Sequence, residues 1–199
     1  MKHALVVAHP NPKSFTLTMT HAYAEALRHE GEEVLVRDLY GQDFDPRLLA
    51  GELPNAKGFE ARADVKSERT LLKDVDCFAL FYPVWFNAPP AMLKGYIERV
   101  FGMGFGYGMG QGGNEPLLTG RRLISFSSSG APKSWMVETG AWAAVRNLFD
   151  EHVSRVCGFG VVDHIHFGDI VPGITPEAVE RCSREVRAAA RKYFGRNAA

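Results

Sequence analysis

Two hydrophobic periods alternate along the chain. Ala4-Leu5-Val6-Val7-Ala8 is an apolar run without polar partner positions, the pattern of a strand buried on both faces. From Ser14 the spacing turns helical, with Phe15, Met19, Ala22, Tyr23, Ala26 and Leu27 in register and Gly31 as a stop. Val34-Leu35-Val36 predicts a second strand, and 39–63, with Pro46, Gly51, Pro54, Asn55 and Gly58, an irregular connection. A helix follows over Asp64 to Asp74, then a third strand, Cys77 to Tyr82, stopped by Pro83. The next pair is a helix from Ala91 to Phe101 and a strand from Leu123 to Ser127. Glu138 to His152 predicts a helix, and Val156 to Val162 a fifth strand interrupted by Gly158 and Gly160. Thr175-Pro176 supplies a cap and a first-turn proline for a last helix reaching about Phe194, and the tail after Gly195 is expected to fray.

Five strands alternating with five helices predict one domain over residues 1–199. Its class is α/β, a doubly wound parallel sheet of order 2-1-3-4-5. Strands 1 and 3 are then neighbours whose connections leave in opposite directions. The crevice between loops 9–15 and 82–90 is the expected ligand site.

Four segments carry candidate chemistry. In His9-Pro-Asn-Pro-Lys-Ser-Phe-Thr16 the first amides of a helix, with Ser14, Thr16 and Lys13, suit a phosphate-sized anion. Ser14 serves equally well as a plain helix cap, and His9 as a structural histidine. Tyr82-Pro-Val-Trp-Phe-Asn-Ala-Pro-Pro90 puts large apolar side chains at the sheet's carboxyl edge, where they suit a flat apolar partner, and its amides from Val84 to Asn87 can donate to ring heteroatoms. Phe101 to Asn114 alternates glycine with Phe105, Tyr107 and Met109, so an extended chain there presents one side-chain face. The hydroxyls and amides of Ser127-Ser-Ser-Gly-Ala-Pro132 suit a polar ring edge. His164 and His166 share a face if extended, a pair that on its own rarely binds metal.

No GxxxxGK[ST] occurs, and Gly108-x-Gly110-x-x-Gly113 follows a helix instead of linking strand to helix, so neither nucleotide motif applies. Strand 1 ends in Ala8-His9, without the acidic residue of a phosphoacceptor domain. Composition narrows the classes further. Basic and acidic side chains number 23 each, which argues against nucleic acid, and no run of 18 apolar residues argues for a membrane span. The three cysteines lack CxxC spacing, so no metal is expected, and a cytoplasmic protein is the reading.

Ala8-His9 with Ser14-Phe15, Asp38-Leu-Tyr40, Pro83 through Phe101, and above all Pro90-Ala-Met-Leu-Lys-Gly-Tyr-Ile-Glu-Arg-Val-Phe101 resemble the NAD(P)H:quinone oxidoreductases of flavodoxin-like fold. The likeness spans nearly the whole chain. It implies a bound flavin, leaning to FAD over FMN because of the 39–63 loop and the Thr175-Pro176 helix entry. His9, Ser14, Phe15 and Thr16 would hold its phosphate and ribityl end, Pro83, Val84, Trp85 and Phe86 its ring system, and Ser129, Gly130 and Ala131 the far edge. A homodimer is implied, with Phe105 and Tyr107 of one subunit covering the acceptor pocket of the other, beside Trp135 and Met136. The implied reaction passes hydride from NAD(P)H through flavin N5 to a quinone or similar acceptor, in ping-pong fashion. A regulatory subunit of a membrane transport system and a flavodoxin-type electron carrier are the alternatives. The family's relay tyrosine and histidine are replaced by Trp135-Met136 and Gly140-Ala-Trp142, so hydride transfer is expected to be nearly flat from pH 6 to 9 unless His9 or His152 substitutes.

Overall fold

The computed structural model describes residues 1–54 and 59–195. Asn55, Gly58 and the tail beyond Gly195, read above as loop and frayed end, lie outside that range. In chain order the elements are β1 (Lys2–Val7), α1 (Phe15–His29), β2 (Glu33–Asp38), α2 (Ala63–Leu72), β3 (Cys77–Pro83) and α3 (Ala91–Val100). A small antiparallel hairpin, β4 (Tyr107–Gly110) and β5 (Gly113–Pro116), precedes β6 (Arg122–Ser128). Then come α4 (Lys133–Glu138), α5 (Ala141–Val145), α6 (His152–Cys157), β7 (Gly160–Phe167) and α7 (Pro176–Phe194).

The main sheet is parallel throughout, in the order β2-β1-β3-β6-β7, which is the predicted 2-1-3-4-5 arrangement. Strand alternation divides its apolar residues between two cores. Ala4, Val6, Phe78, Leu80 and Leu123 pack beneath Val65 and Leu72 of α2, Tyr96 and Val100 of α3, and Phe149 and Val153. Leu5, Val7, Ala79, Phe81, Ile124 and Phe126 face Met19, Tyr23 and Leu27 of α1 and Val186 and Ala190 of α7. Both helical layers lie on strands that are fully buried at the centre, so truncating a residue such as Leu80 to alanine costs about 2–5 kcal/mol.

Two elements depart from the pattern. The helix expected over Glu138 to His152 is divided at Gly140, whose φ of 76° ends α4. It resumes at Ala141 and runs through a π-helical stretch, Arg146–Glu151, to Cys157. The fifth strand does not start at Val156. Gly158 adopts φ 86° as the helix C-cap, and a Cβ there would lie 2.6 Å from Thr119 Oγ1, so the turn requires glycine. β7 therefore runs on through His164 and His166.

The glycine-alternating segment is extended only over the hairpin. Residues before it turn back, stacking Phe105 on Phe101 at 6.2 Å. The irregular connection after β2 is strapped across α3. Arg99, fully buried, holds Glu52 at 2.9 Å, Asp64 at 2.8 Å and the Asp45 carbonyl at 2.6 Å. The strap runs so close to the helix that a Cβ on Gly95 would lie 2.1 Å from the Pro46 oxygen.

Candidate functional site

A cleft of about 140 Å³ opens at the carboxyl edge of β1, β3 and β6, lined by His9, Phe15, Thr16, Pro83, Val84, Trp85, Ser128, Ser129, Gly130 and Ile170. It sits at the switch point between β1 and β3, where the topology predicts a ligand.

Its first wall is the start of α1. The Ser14 hydroxyl accepts the Leu17 amide at 3.2 Å and its carbonyl accepts Thr18 at 3.1 Å, so Ser14 acts as the cap and does not line the cleft. Among the described residues the amides of Phe15 and Thr16 have no acceptor, at the positive end of a 15-residue helix. His9 is half-buried, accepts the Asn11 amide on Nδ1 at 3.0 Å and lies 5.7 Å from the Trp85 ring. Burial lowers its pKa, so its ring enters neutral solution uncharged.

The second wall differs from expectation in its amides. Val84 N–H donates to the Ser128 carbonyl at 2.6 Å and Trp85 N–H to Ala88 at 2.9 Å, so both are consumed within the chain. A tight turn follows, with positive φ at Phe86 (49°) and Asn87 (57°), and the amides of these two residues have no acceptor among the described residues. Phe86 sits fully exposed at the tip, outside the cleft, while Trp85 is 42% exposed along its rim.

The third wall is the loop after β6. Ser129 and Gly130 line the cleft; Ala131 instead turns its carbonyl back to accept the Ser129 hydroxyl at 2.8 Å and the Asp169 amide at 3.2 Å. Met136 is buried against Ser129, its Sδ 3.3 Å from the hydroxyl, whereas Trp135 is half exposed.

Phe105 and Tyr107 are not at this cleft. Phe105 is held in its own chain, with Arg69 and Arg121 over its ring at 5.8 and 6.0 Å. Tyr107 borders a larger apolar groove of about 600 Å³ between α3 and α6, lined by Ile97, Phe101, Val153 and the exposed Leu148.

Sequence reasoning missed a buried polar cluster behind the third wall. Asp150, Ser125, Ser127, His164 and His166 are all under 9% exposed. The register of β6 on β7, Ser125 opposite His164 and Ser127 opposite His166, puts the hydroxyls and imidazoles on one face. The signal was the alternating Ser-x-Ser and His-x-His, legible only once the two strands were known to pair. No cluster of metal-ligand type occurs among the described residues, and none of their helices is long and apolar enough to cross a membrane.

A doubly wound sheet with an anion-ready helix start and an aromatic-rimmed cleft at its switch point defines a flavodoxin-like protein. The Flavodoxin_2 family profile, described as a flavodoxin-like fold, matches residues 1–193. An NAD(P)H oxidoreductase of Haemophilus influenzae is 31% identical over 171 residues, covering 85% of each chain. The rat NAD(P)H dehydrogenase [quinone] 1 is 26% identical over 80% of this chain, which spans 65% of that longer relative. The solved NAD(P)H:quinone oxidoreductase of Methanothermobacter marburgensis superposes with a TM-score of 0.79 at 26% identity, covering 99% of this chain and 98% of that one. The chain belongs to the flavodoxin-like family of NAD(P)H:quinone oxidoreductases.

Proposed function

We propose that the cleft binds a flavin and that the protein uses NAD(P)H to reduce a quinone or similar small acceptor. The observation that carries this reading is the convergence of three walls of matching chemistry on one cleft. The Phe15 and Thr16 amides fit the phosphate, Pro83, Val84 and Trp85 the ring system, and Ser129 with Gly130 its polar edge. When bound, a flavin supplies two-electron transfer between a nicotinamide and an acceptor.

The chain's own groups bind and shield. Trp85 and the neutral His9 form an apolar rim that keeps water from the reacting face. With one cleft at the switch point, donor and acceptor would use that face in turn. Parallel double-reciprocal plots are expected. The three free cysteines, two of them buried, fit a reducing, cytoplasmic setting.

The leaning to FAD rested in part on the 39–63 loop. Its described part is drawn onto α3 by Arg99 and lies away from the cleft, so the proposal is for a flavin, FMN or FAD. The purified protein should be yellow, with about one flavin per chain, and chromatography of the released cofactor tells FMN from FAD. A colourless protein that takes up neither on titration overturns the reading.

A further inference from the structure

The buried cluster behind Ser129 is an unbroken line of hydrogen bonds. His164 Nδ1 lies 2.6 Å from Asp150 Oδ2, and His164 Nε2 lies 2.7 Å from the Ser127 hydroxyl. That hydroxyl is 2.8 Å from His166 Nδ1, and His166 Nε2 is 2.9 Å from the Ser129 hydroxyl. Ser129 lines the cleft, and its oxygen also stands 2.8 Å from the Ala131 carbonyl.

Two proton arrangements satisfy every bond from Asp150 to Ser129 and differ by one proton; the second also supplies a proton to the Ser129–Ala131 contact. In the first, Ser129 O–H donates to His166 Nε2, His166 Nδ1–H to Ser127, Ser127 O–H to His164 Nε2, and His164 Nδ1–H to the Asp150 carboxylate. In the second, Ser129 O–H donates to the Ala131 carbonyl and accepts from His166 Nε2–H. His166 Nδ1 then accepts from Ser127 O–H, and Ser127 accepts from the Nε2–H of a His164 carrying both protons against Asp150. The extra proton resides on His164, while His166 changes only its tautomer.

We propose that Asp150, His164, Ser127, His166 and Ser129 are a proton store for the cleft, which delivers one proton through the Ser129 hydroxyl when negative charge develops there. On delivery the Ser129 proton leaves to the cleft and is replaced from His166 Nε2. Ser127 then protonates His166 Nδ1 and is itself reprotonated from His164 Nε2. His164 is left neutral, still bonded to Asp150 through Nδ1–H. One proton leaves, one imidazolium is discharged, and no donor is orphaned. The inference rests on the reading of the cleft as the flavin and acceptor site.

The surroundings keep the outer histidine neutral, while the inner one is the member of the pair bonded to a carboxylate. Burial, the neighbouring His164 and Lys133 push the His166 ring down to about 4, so it stays neutral and conducts. Asp150 is anchored by Ser125 at 3.0 Å and faces Arg146 at 3.8 Å. The other groups around the pair are the Trp142 ring, 4.6 Å from His164 and 5.2 Å from His166; Tyr82, 6.1 Å from His164; and Asp163, which takes the His164 amide and the Tyr193 hydroxyl. Trp142 packs on both imidazoles and Met136 on Ser129, and with this line behind them the flat profile expected from the sequence gives way to one inflection.

The test is long-range ¹H–¹⁵N correlation of ¹⁵N-histidine-labelled protein, without added cofactor, across pH 5 to 9. As His164 gains its second proton, His166 should switch from Nδ1–H to Nε2–H with the same midpoint and without charging. In Ser127→Ala the two rings should uncouple, and Ser127→Thr, which keeps the hydroxyl, should restore the shared midpoint. A His166 that keeps one tautomer while His164 titrates, or a His164 that takes up no proton in this range, overturns the store. Stopped-flow reduction of the flavin-loaded protein by NAD(P)H should show the same midpoint in its pH profile, lost in Ser127→Ala and regained in Ser127→Thr. Tautomer switching with a flat profile refutes delivery to the cleft while sparing the cofactor reading, and switching in a protein that binds no flavin refutes the cofactor reading itself.

Discussion

At the scale of single residues, two histidines set how the protein responds to acid. His3 is fully buried beside Phe194, with neither ring nitrogen hydrogen-bonded, and burial lowers it to about 4. His166 is lowered to about 4 as well. An unfolded chain protonates both near pH ~6.5. Between that pH and 4 the unfolded state binds more protons, so stability falls as pH drops through the window, His3 alone contributing on the order of 3 kcal/mol. Urea midpoints at pH 7 and 4.5 should differ by less in His3→Leu than in the parent; an unchanged difference refutes the assignment. His9, Phe15, Thr16, Pro83, Val84, Trp85, Ser129 and Gly130 were legible as cleft candidates because they stand in loops at strand ends, whereas Ile170, which also lines the cleft, gave no such signal. The proton store was not, because Ser129, Asp150, His164 and His166 meet only through the pairing of two strands whose join was misplaced.

At the scale of elements, the sequence was clearest where burial was two-sided. β1, β3 and β6 are apolar runs, and α1 and α7 announce themselves with a capping hydroxyl at Ser14 and Thr175. β7 was placed too early because it is an edge strand whose buried positions carry histidines, a pattern that reads as loop. The hairpin β4–β5 was missed because glycine leaves few side chains to show a period. The path of the strap over α3 was equally illegible, since its contact depends on the absence of a side chain at position 95. Gly95→Ala must lift Pro46 off the helix, and the expected cost of about 1–3 kcal/mol is read as a lower Tm. A variant as stable as the parent would place the strap elsewhere.

At the scale of the molecule, the 600 Å³ groove and Leu148, 59% exposed at its edge, leave an apolar face uncovered in one chain. With Tyr107 on its border, it fits the homodimer implied by the family resemblance. Light scattering should give about twice 22.0 kDa for the parent and about one chain's mass for Leu148→Asp. A parent that is monomeric with flavin bound refutes the dimer. The Arg99 cluster bears on how the single chain holds itself together. Its guanidinium grips the Asp45 carbonyl and the Glu52 carboxylate within the strap and the Asp64 carboxylate just after it, and removing the buried Glu52 carboxylate is expected to cost about 3–5 kcal/mol. The described part of the connection that reads, on the sequence, as irregular is thus fastened to a core helix by one cation. The buried Glu52, whose amide donates to the Leu49 carbonyl at 2.9 Å, opens only when that grip is released, so this amide is expected to exchange with solvent more slowly than those of the exposed residues on either side.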